Sequence, residues 1–205
     1  MMKLYYQTHS PYARKALVFA HEAGLADRLE VIHHETSPTR RNDTVFAENP
    51  LGKVPVLIRP GLRPIFDSDV ICAYLDTLGG TRLIPEEGEA RWNALLLQAV
   101  AQGLCDAGIA LRWETVRRPP DLRYPPLRDG FTEKLKASYD WLEAELDMST
   151  SVHVGHIALA TALDWLEFRE LPAFRHGRPR LTKWFEEFAA RPSMRATPFS
   201  GEARD

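Results

Sequence analysis

Apolar and polar positions follow two different rhythms along this chain, and the change falls near residue 80. Before it, short runs with the two-residue period of a strand alternate with stretches of helical period. Residues 3–7, KLYYQ, predict a strand. Residues 11–23 predict a helix with Ala13, Ala16, Leu17 and Ala20 on one face and Gly24 as its stop. A second strand is predicted over 29–33, and a helix over 40–48 that Asn49-Pro50 closes. Two short strands follow at 56–58 and 65–66, turned at Pro60-Gly61, and then a helix over 68–78 that Gly79-Gly80 stops. The order β-α-β-α-β-β-α describes a small α/β sheet whose last two strands form a hairpin.

Beyond residue 86 the strand rhythm disappears. Trp92, Leu95, Leu96, Ala99, Val100, Gly103, Leu104, Ala107 and Leu111 recur every three or four positions, so one long helix is predicted over 89–116. Pro119-Pro120 and Pro125-Pro126 break it and bracket a loop. Leu135, Tyr139, Leu142 and Leu146 mark a second helix. Residues 154–166 are apolar nearly all round, the pattern of a buried helix. Residues 179–190 form a last amphipathic helix with Leu181, Trp184, Phe185 and Phe188 inside. The polar tail after Pro192 is expected to be loosely held. The expected organisation is an α/β domain over 1–80, a linker over 81–88 and an all-helical domain over 89–205.

Charge narrows the possible functions. Lys and Arg number 26 and Asp and Glu 28, a formal net charge of −2. That balance, with no basic block, lacks the electrostatic footprint of a nucleic-acid binder. The longest uninterrupted apolar runs are a few residues, such as 107–111 and 157–160, so no membrane partner is expected. The first fifteen residues lack the apolar stretch of a signal peptide. Cys72 and Cys105 form no CxxC motif, and both read as buried apolar thiols. Together these features lead to the expectation of a reducing, cytoplasmic setting.

Three places carry candidate chemistry. Ser10-Pro11 sets a hydroxyl at the start of the first helix, directly after a strand. A plain helix cap requires the same pair, and helix starts of this kind also favour anions. N-P-L-G-K-V-P-V-L over 49–57 opens a strand with Pro55. If that proline is cis, the Val54 N–H and C=O turn outward and can pair with an extended peptide. Phe66-Asp67-Ser68 caps the next helix, and it could also hold a zwitterion, the hydroxyl and helix start taking a carboxylate and Asp67 an ammonium.

S-P-Y-A-R-K after a strand, N-P-L-G-K-V-P-V-L, F-D-S and then an all-helical half resemble the glutathione transferase family over essentially the whole chain. D-W-L-E-F-R at 164–169 and F-A-A-R-P-S at 188–193 resemble its bacterial members. The resemblance implies a thioredoxin-like amino-terminal domain, a helical carboxy-terminal domain, a cis proline at 55 and a homodimer. It implies glutathione as co-substrate and a small electrophile as second substrate. On this reading Asp67 and Ser68 hold the γ-glutamyl end, the Val54 backbone ahead of Pro55 pairs with the cysteinyl unit, and Lys53 favours a carboxylate. The Ser10 hydroxyl donates a hydrogen bond that favours the thiolate. With no cysteine at that position, dithiol redox chemistry is not expected. Thr8 and His9 are possible helpers, and Tyr5 and Tyr6 read as structural.

The electrophile pocket is expected to take walls from Tyr12, Arg112 and Trp113, residues that packing and a solvated helix face would equally explain. The same thiolate would also serve dehalogenation, ether cleavage, isomerisation or peroxide reduction. A non-catalytic binding or protein-interaction module on the same fold is the alternative. One departure stands out. Many members cap the buried helix with Ser/Thr-x-x-Asp, and here His153-Val154-Gly155-His156 occupies that stretch. Two imidazoles three apart are a weak metal motif, and a pH-sensitive cap is expected instead.

Overall fold

The computed structural model describes residues 1–147 and 151–202. It divides into two compact units: Met1–Arg91 together with the chain from Pro192 onward, and Trp92–Arg191.

The first unit is built on a four-stranded mixed sheet in the order β2-β1-β3-β4. β1 (Met2–Tyr6) runs parallel to β2 (Leu29–His33) and antiparallel to β3 (Val56–Ile58), which pairs antiparallel with β4 (Ile65–Phe66). Leu4, Val56 and Leu57 are fully buried, and the parallel pair is joined through α1 (Pro11–Glu22). α1 starts where predicted, with Ser10 at the cap and Pro11 in the first turn, and Gly24 ends it at φ +70°. It buries Ala13, Ala16, Val18, Phe19 and Ala20 and packs against α3 (Ser68–Asp76). α2 (Asp43–Glu48) is shorter than its predicted span of 40–48. Residues 37–40 close a turn through a bridge between Ser37 and Arg40, and the Asn42 side chain then caps the helix by accepting from Val45 N–H.

The second unit is helical. α4 (Gly88–Arg112) gives way to a π-helical turn (Trp113–Arg117) where a continuous helix to 116 was expected. Glu114, buried in that turn, accepts from the backbone N–H of Tyr124 and pairs with Arg118 at 2.8 Å, which holds the chain in the wider turn. Pro125 opens α5 (Pro125–Glu145) rather than ending a loop, a role its missing N–H suits. α6 (Val154–Phe168) is buried on nearly all sides, and α7 (Pro179–Ala189) buries Leu181, Trp184, Phe185 and Phe188. Gly155 fits α6 against α4, since a β-carbon there would stand 2.5 Å from the Ala94 carbonyl oxygen. By length and composition alone the helical stretch Gly88–Arg117 could cross a membrane, although each of its uninterrupted apolar runs is only a few residues long. Half of its most apolar window is buried inside the protein, as in a core helix.

The tail is the largest departure from expectation. It is docked, not loose. α8 (Pro192–Arg195) and the residues after it bury Ser193, Met194 and Thr197 within the first unit. Residues 203–205 lie outside the described residues.

Candidate functional site

Sheet register brings the three sequence motifs to one place. Tyr5 pairs with Val56, and Val56 pairs with Phe66. β3 runs opposite to β1, and β4 runs opposite to β3. The loop leaving β1 (residues 7–10), the loop entering β3 (52–55) and the turn leaving β4 (67–68) therefore emerge from the same end of the sheet. A further link ties the helices that start there: Lys15 of α1 is ion-paired with Asp69 of α3.

Ser10 is buried and adopts the extended backbone of a cap. Its Oγ accepts the Ala13 N–H at 3.2 Å. Capping uses a lone pair of the hydroxyl and leaves the O–H hydrogen as a donor, so cap and anion contact are compatible in one side chain. The start of α1 adds its free N–H groups and dipole.

The loop before β3 is shaped by Asn49, whose part the sequence reading confined to closing a helix. Asn49 is buried. Its Nδ2 donates to the Lys53 carbonyl at 2.8 Å and its Oδ1 accepts the Leu51 N–H at 3.0 Å. Gly52 turns at φ +62°, and a β-carbon there would overlap the Phe46 ring at 2.2 Å. The loop therefore needs its glycine. The Val54-Pro55 peptide bond is cis. Val54 and Pro55 are buried, and the Lys53 side chain is exposed.

Asp67 is exposed and takes φ +73° with ψ +130°, outside the left-handed helical well, a strained backbone for a residue with a β-carbon. Its Oδ1 caps α3 by accepting the Asp69 N–H at 2.8 Å and the Val70 N–H at 3.3 Å. Ser68, the first residue of α3, is buried beside it.

A second cluster holds the β1 loop from the side of β2. Gln7 donates to Glu35 Oε2 at 2.8 Å and to the Thr36 carbonyl at 3.2 Å, while Thr36 Oγ1 donates to Gln7 Oε1. Glu35 also bonds to His33 Nε2 at 2.8 Å and faces His9 Nε2 at 3.7 Å. Burial works against ionisation of Glu35. The hydrogen bonds from Gln7 and His33 and the charge of nearby imidazoles outweigh it and hold the carboxyl below the usual range. His9 is buried. No local pattern marked Gln7 or Glu35, because their pairing is set by the parallel β1–β2 register.

The Tyr5 ring meets His34 in a tilted contact, their centroids 4.3 Å apart, and burial raises the buried Tyr6 hydroxyl to about 12. Cys72 is fully buried, and burial pushes its thiol up to about 12, so it is inert in the folded protein. Tyr12 is half-buried in the first turn of α1. Arg112 and Trp113 belong to the other unit, at the junction of α4 with the π-helical turn. There the Arg117 guanidinium lies 4.4 Å from the centre of the Trp113 ring. His153 is the cap of α6: its Nδ1 accepts the Gly155 N–H at 3.2 Å and its ring stacks on His156 at 3.8 Å.

Comparisons with known proteins agree with this geometry. The family model "Glutathione S-transferase, N-terminal domain" matches residues 9–78, and "Glutathione S-transferase, C-terminal domain" matches residues 125–187. The chain is 31% identical to the uncharacterized GST-like protein YibF of Escherichia coli K12, over 96% of this chain and 98% of that one. It is 30% identical to glutathione S-transferase 4 of Zea mays, over 94% of this chain and 89% of that one. The crystal structure of a glutathione transferase family member from Pseudomonas fluorescens Pf-5, with bound glutathione, superimposes with a TM-score of 0.93 at 35% identity. It covers 98% of this chain and all of that one.

Proposed function

The chain belongs to the glutathione S-transferase family, and we propose that it conjugates the glutathione thiolate to small hydrophobic electrophiles. Residues 1–80 form the glutathione-binding domain on this reading, and within residues 89–205 the helical part ahead of the tail that docks on the first unit carries the electrophile pocket. The observation that carries the proposal is the convergence of three loops at one end of the sheet, led by a buried serine whose hydroxyl caps α1 and retains a hydrogen to donate.

Glutathione offers an α-ammonium, two carboxylates and a thiol. Asp67 takes the ammonium. The Ser68 hydroxyl and the start of α3 take the neighbouring carboxylate. The Val54 backbone beside Pro55 pairs with the cysteinyl unit, and Lys53 draws the glycyl carboxylate. The sulfur then lies at the start of α1. A free thiol of this type ionises near pH 8.5, and a helix start can lower that to about 3.5–7.5. A hydrogen bond from Ser10 to the ion contributes about 1.5–3 kcal/mol, equivalent to one to two pH units. The thiolate attacks the electrophilic carbon, the sulfur–carbon bond forms and the leaving group departs with its electron pair. Tyr12, Arg112 and Trp113 line the electrophile's side, with Arg112 meeting an anionic leaving group.

The same reading places the protein in the cytoplasm, in detoxification, as a homodimer. Trp92 and Leu96 on α4 are 62% and 52% exposed, apolar side chains suited to a subunit contact. Calorimetric titration with glutathione, followed by turnover of a chromogenic aryl halide, tests the proposal. Micromolar to millimolar binding with turnover is expected. Binding without turnover of any electrophile would make the protein a glutathione-binding module, and absence of both would overturn the reading.

A further inference from the structure

The loop that presents Ser10 is fastened to the carboxy-terminal segment by a reciprocal pair of hydrogen bonds. Thr8 Oγ1 donates to the Ser200 carbonyl at 2.8 Å, and the Ser200 N–H donates to the Thr8 carbonyl at 3.1 Å. The segment reaches that clasp along α1. Ser193 Oγ bonds to Glu22 at the far end of the helix. Midway, the Arg14 side chain is 1% exposed. It donates to the Met194 carbonyl at 3.2 Å and to Thr197 Oγ1 at 3.3 Å, and its guanidinium lies 4.2 Å from the centre of the Phe199 ring. Past the clasp, a β-carbon on Gly201 would stand 3.4 Å from Thr8 Oγ1 and 3.7 Å from His9 Nδ1. Glu35 holds Gln7 and His9 of the same loop.

We propose that residues 192–201 are a positioning element of the thiolate site, and that the Thr8–Ser200 clasp and the Arg14 latch fix the loop that aims the Ser10 hydroxyl. The proposal rests on the reading of Ser10 as the thiolate's hydrogen-bond donor. A hydrogen bond weakens steeply with misalignment, and a loop of four residues outside the sheet and the helix holds its alignment only where other groups tie it down. Two ties reach this loop from opposite ends of the sequence. One comes from the turn after β2. The other comes from a segment about 190 positions away that is buried along α1 before it arrives. Docking this segment thus removes the loop's freedom before glutathione binds, which is preorganisation.

Thr8→Val with Ser200→Pro removes both bonds of the clasp and leaves Ser10, Lys53, Asp67 and Ser68 in place. Both bonds use the Ser200 main chain, so Ser200→Ala serves as the control. Two measurements are made on the intact chain: hydrogen exchange at the Ala13 and Arg14 amides, which bond to Ser10, and the pH at which bound glutathione ionises, followed by thiolate absorbance. The expected result is exchange faster by about thirtyfold, the size that two net hydrogen bonds account for. It comes with ionisation moved to higher pH and a raised KM for glutathione, none of which Ser200→Ala reproduces. A double variant that melts earlier but keeps its exchange and its ionisation pH overturns the proposal, since a merely structural tail predicts that outcome. If the double variant does not fold, Thr8→Val alone is read the same way with a smaller shift. If the unmodified chain ionises no glutathione, the reading of Ser10 falls. The exchange comparison still decides whether the segment holds the loop.

Discussion

Lys15 in the second turn of α1 is ion-paired with Asp69 in the first turn of α3, and the two partners meet water unequally. The Lys15 side chain is 5% exposed and that of Asp69 43%. The pair spans the two helices whose starts carry Ser10 and Ser68. Removing Asp69 strands a buried ammonium, whereas removing the Lys15 charge leaves a carboxylate that water can reach. Asp69→Ala is therefore expected to cost about 1–3 kcal/mol, between the values for exposed and buried pairs, and Lys15→Met less. The double variant should match Lys15→Met alone, not the sum of the two. Thermal unfolding of the three variants checks this, at about 2–4 °C per kcal/mol for a chain of this size. Additive losses would mean that the two side chains act independently.

Ser10→Ala separates the cap from the anion contact. Loss of the cap to the Ala13 N–H costs about 1 kcal/mol of stability at every pH. Loss of the donor raises the ionisation of bound glutathione by one to two units on the proposed reading. Below both ionisation points the thiolate fraction falls about ten- to a hundredfold, and the greater nucleophilicity of a more basic thiolate recovers about half of that on a logarithmic scale. A net loss of about three- to tenfold at low pH, turning into a gain of about the same size above both ionisation points, is the expected rate profile with an aryl halide. A loss equal at all pH values would assign the thiolate to another group.

Asp67→Asn isolates a charge. Asparagine caps helices as well as aspartate and brings the same β-carbon to the backbone at φ +73°, so strain is unchanged and stability should change by less than about 1 kcal/mol. An ammonium bonded to the carboxylate would lose a charge-assisted contact of about 1.5–3 kcal/mol, which weakens glutathione roughly ten- to a hundredfold. An analogue lacking the α-amino group should bind both proteins equally. Titrations of the two ligands against the two proteins give the comparison. An equal loss for both ligands would place the effect in the loop rather than in the ammonium.

The chain's local rhythm carries most of the fold. The boundaries of β2, β3 and β4 coincide with the predicted 29–33, 56–58 and 65–66, because short alternating runs there are closed by His, Pro, Gly and Asp punctuation. Asn42 ahead of Asp43 carries a cap signal that outranked the weaker periodicity from residue 40. Long-range partners escaped. Nothing in a local window marks Arg14 and Lys15 as buried, yet they are partnered by Met194 and Asp69, 180 and 54 positions away, and are buried. The tail reads as polar and loose for the same reason: what it binds is the side of α1. Buried Gln7, Glu114 and Asn49 follow the same rule, since a polar residue becomes structural only once a partner elsewhere satisfies it.

His153 makes the stability of the second unit depend on pH, with a sign that its cap fixes. The Nδ1 that accepts the Gly155 N–H must be unprotonated. Burial and the stacked His156 lower His153 to about 4, while Asp147 and a backbone hydrogen bond oppose that only in part. Burial also lowers His156, whose Nε2 faces the Asp147 carbonyl at 3.3 Å. Unfolded imidazoles take up protons near pH 6.5, so between there and about 4 the unfolded chain binds more protons than the folded one. The stabilisation is complete above pH 6.5 and is lost progressively as pH falls to about 4. The expected observation is a melting temperature that is flat from pH 7 to 8 and declines below 6.5. Replacing the cap by His153→Ser, which accepts the same N–H without titrating near neutrality, should flatten much of that decline. A melting temperature unchanged from pH 8 to 5 in the natural chain would remove His153 as the titrating cap. A decline that His153→Ser leaves untouched would move the dependence to His156.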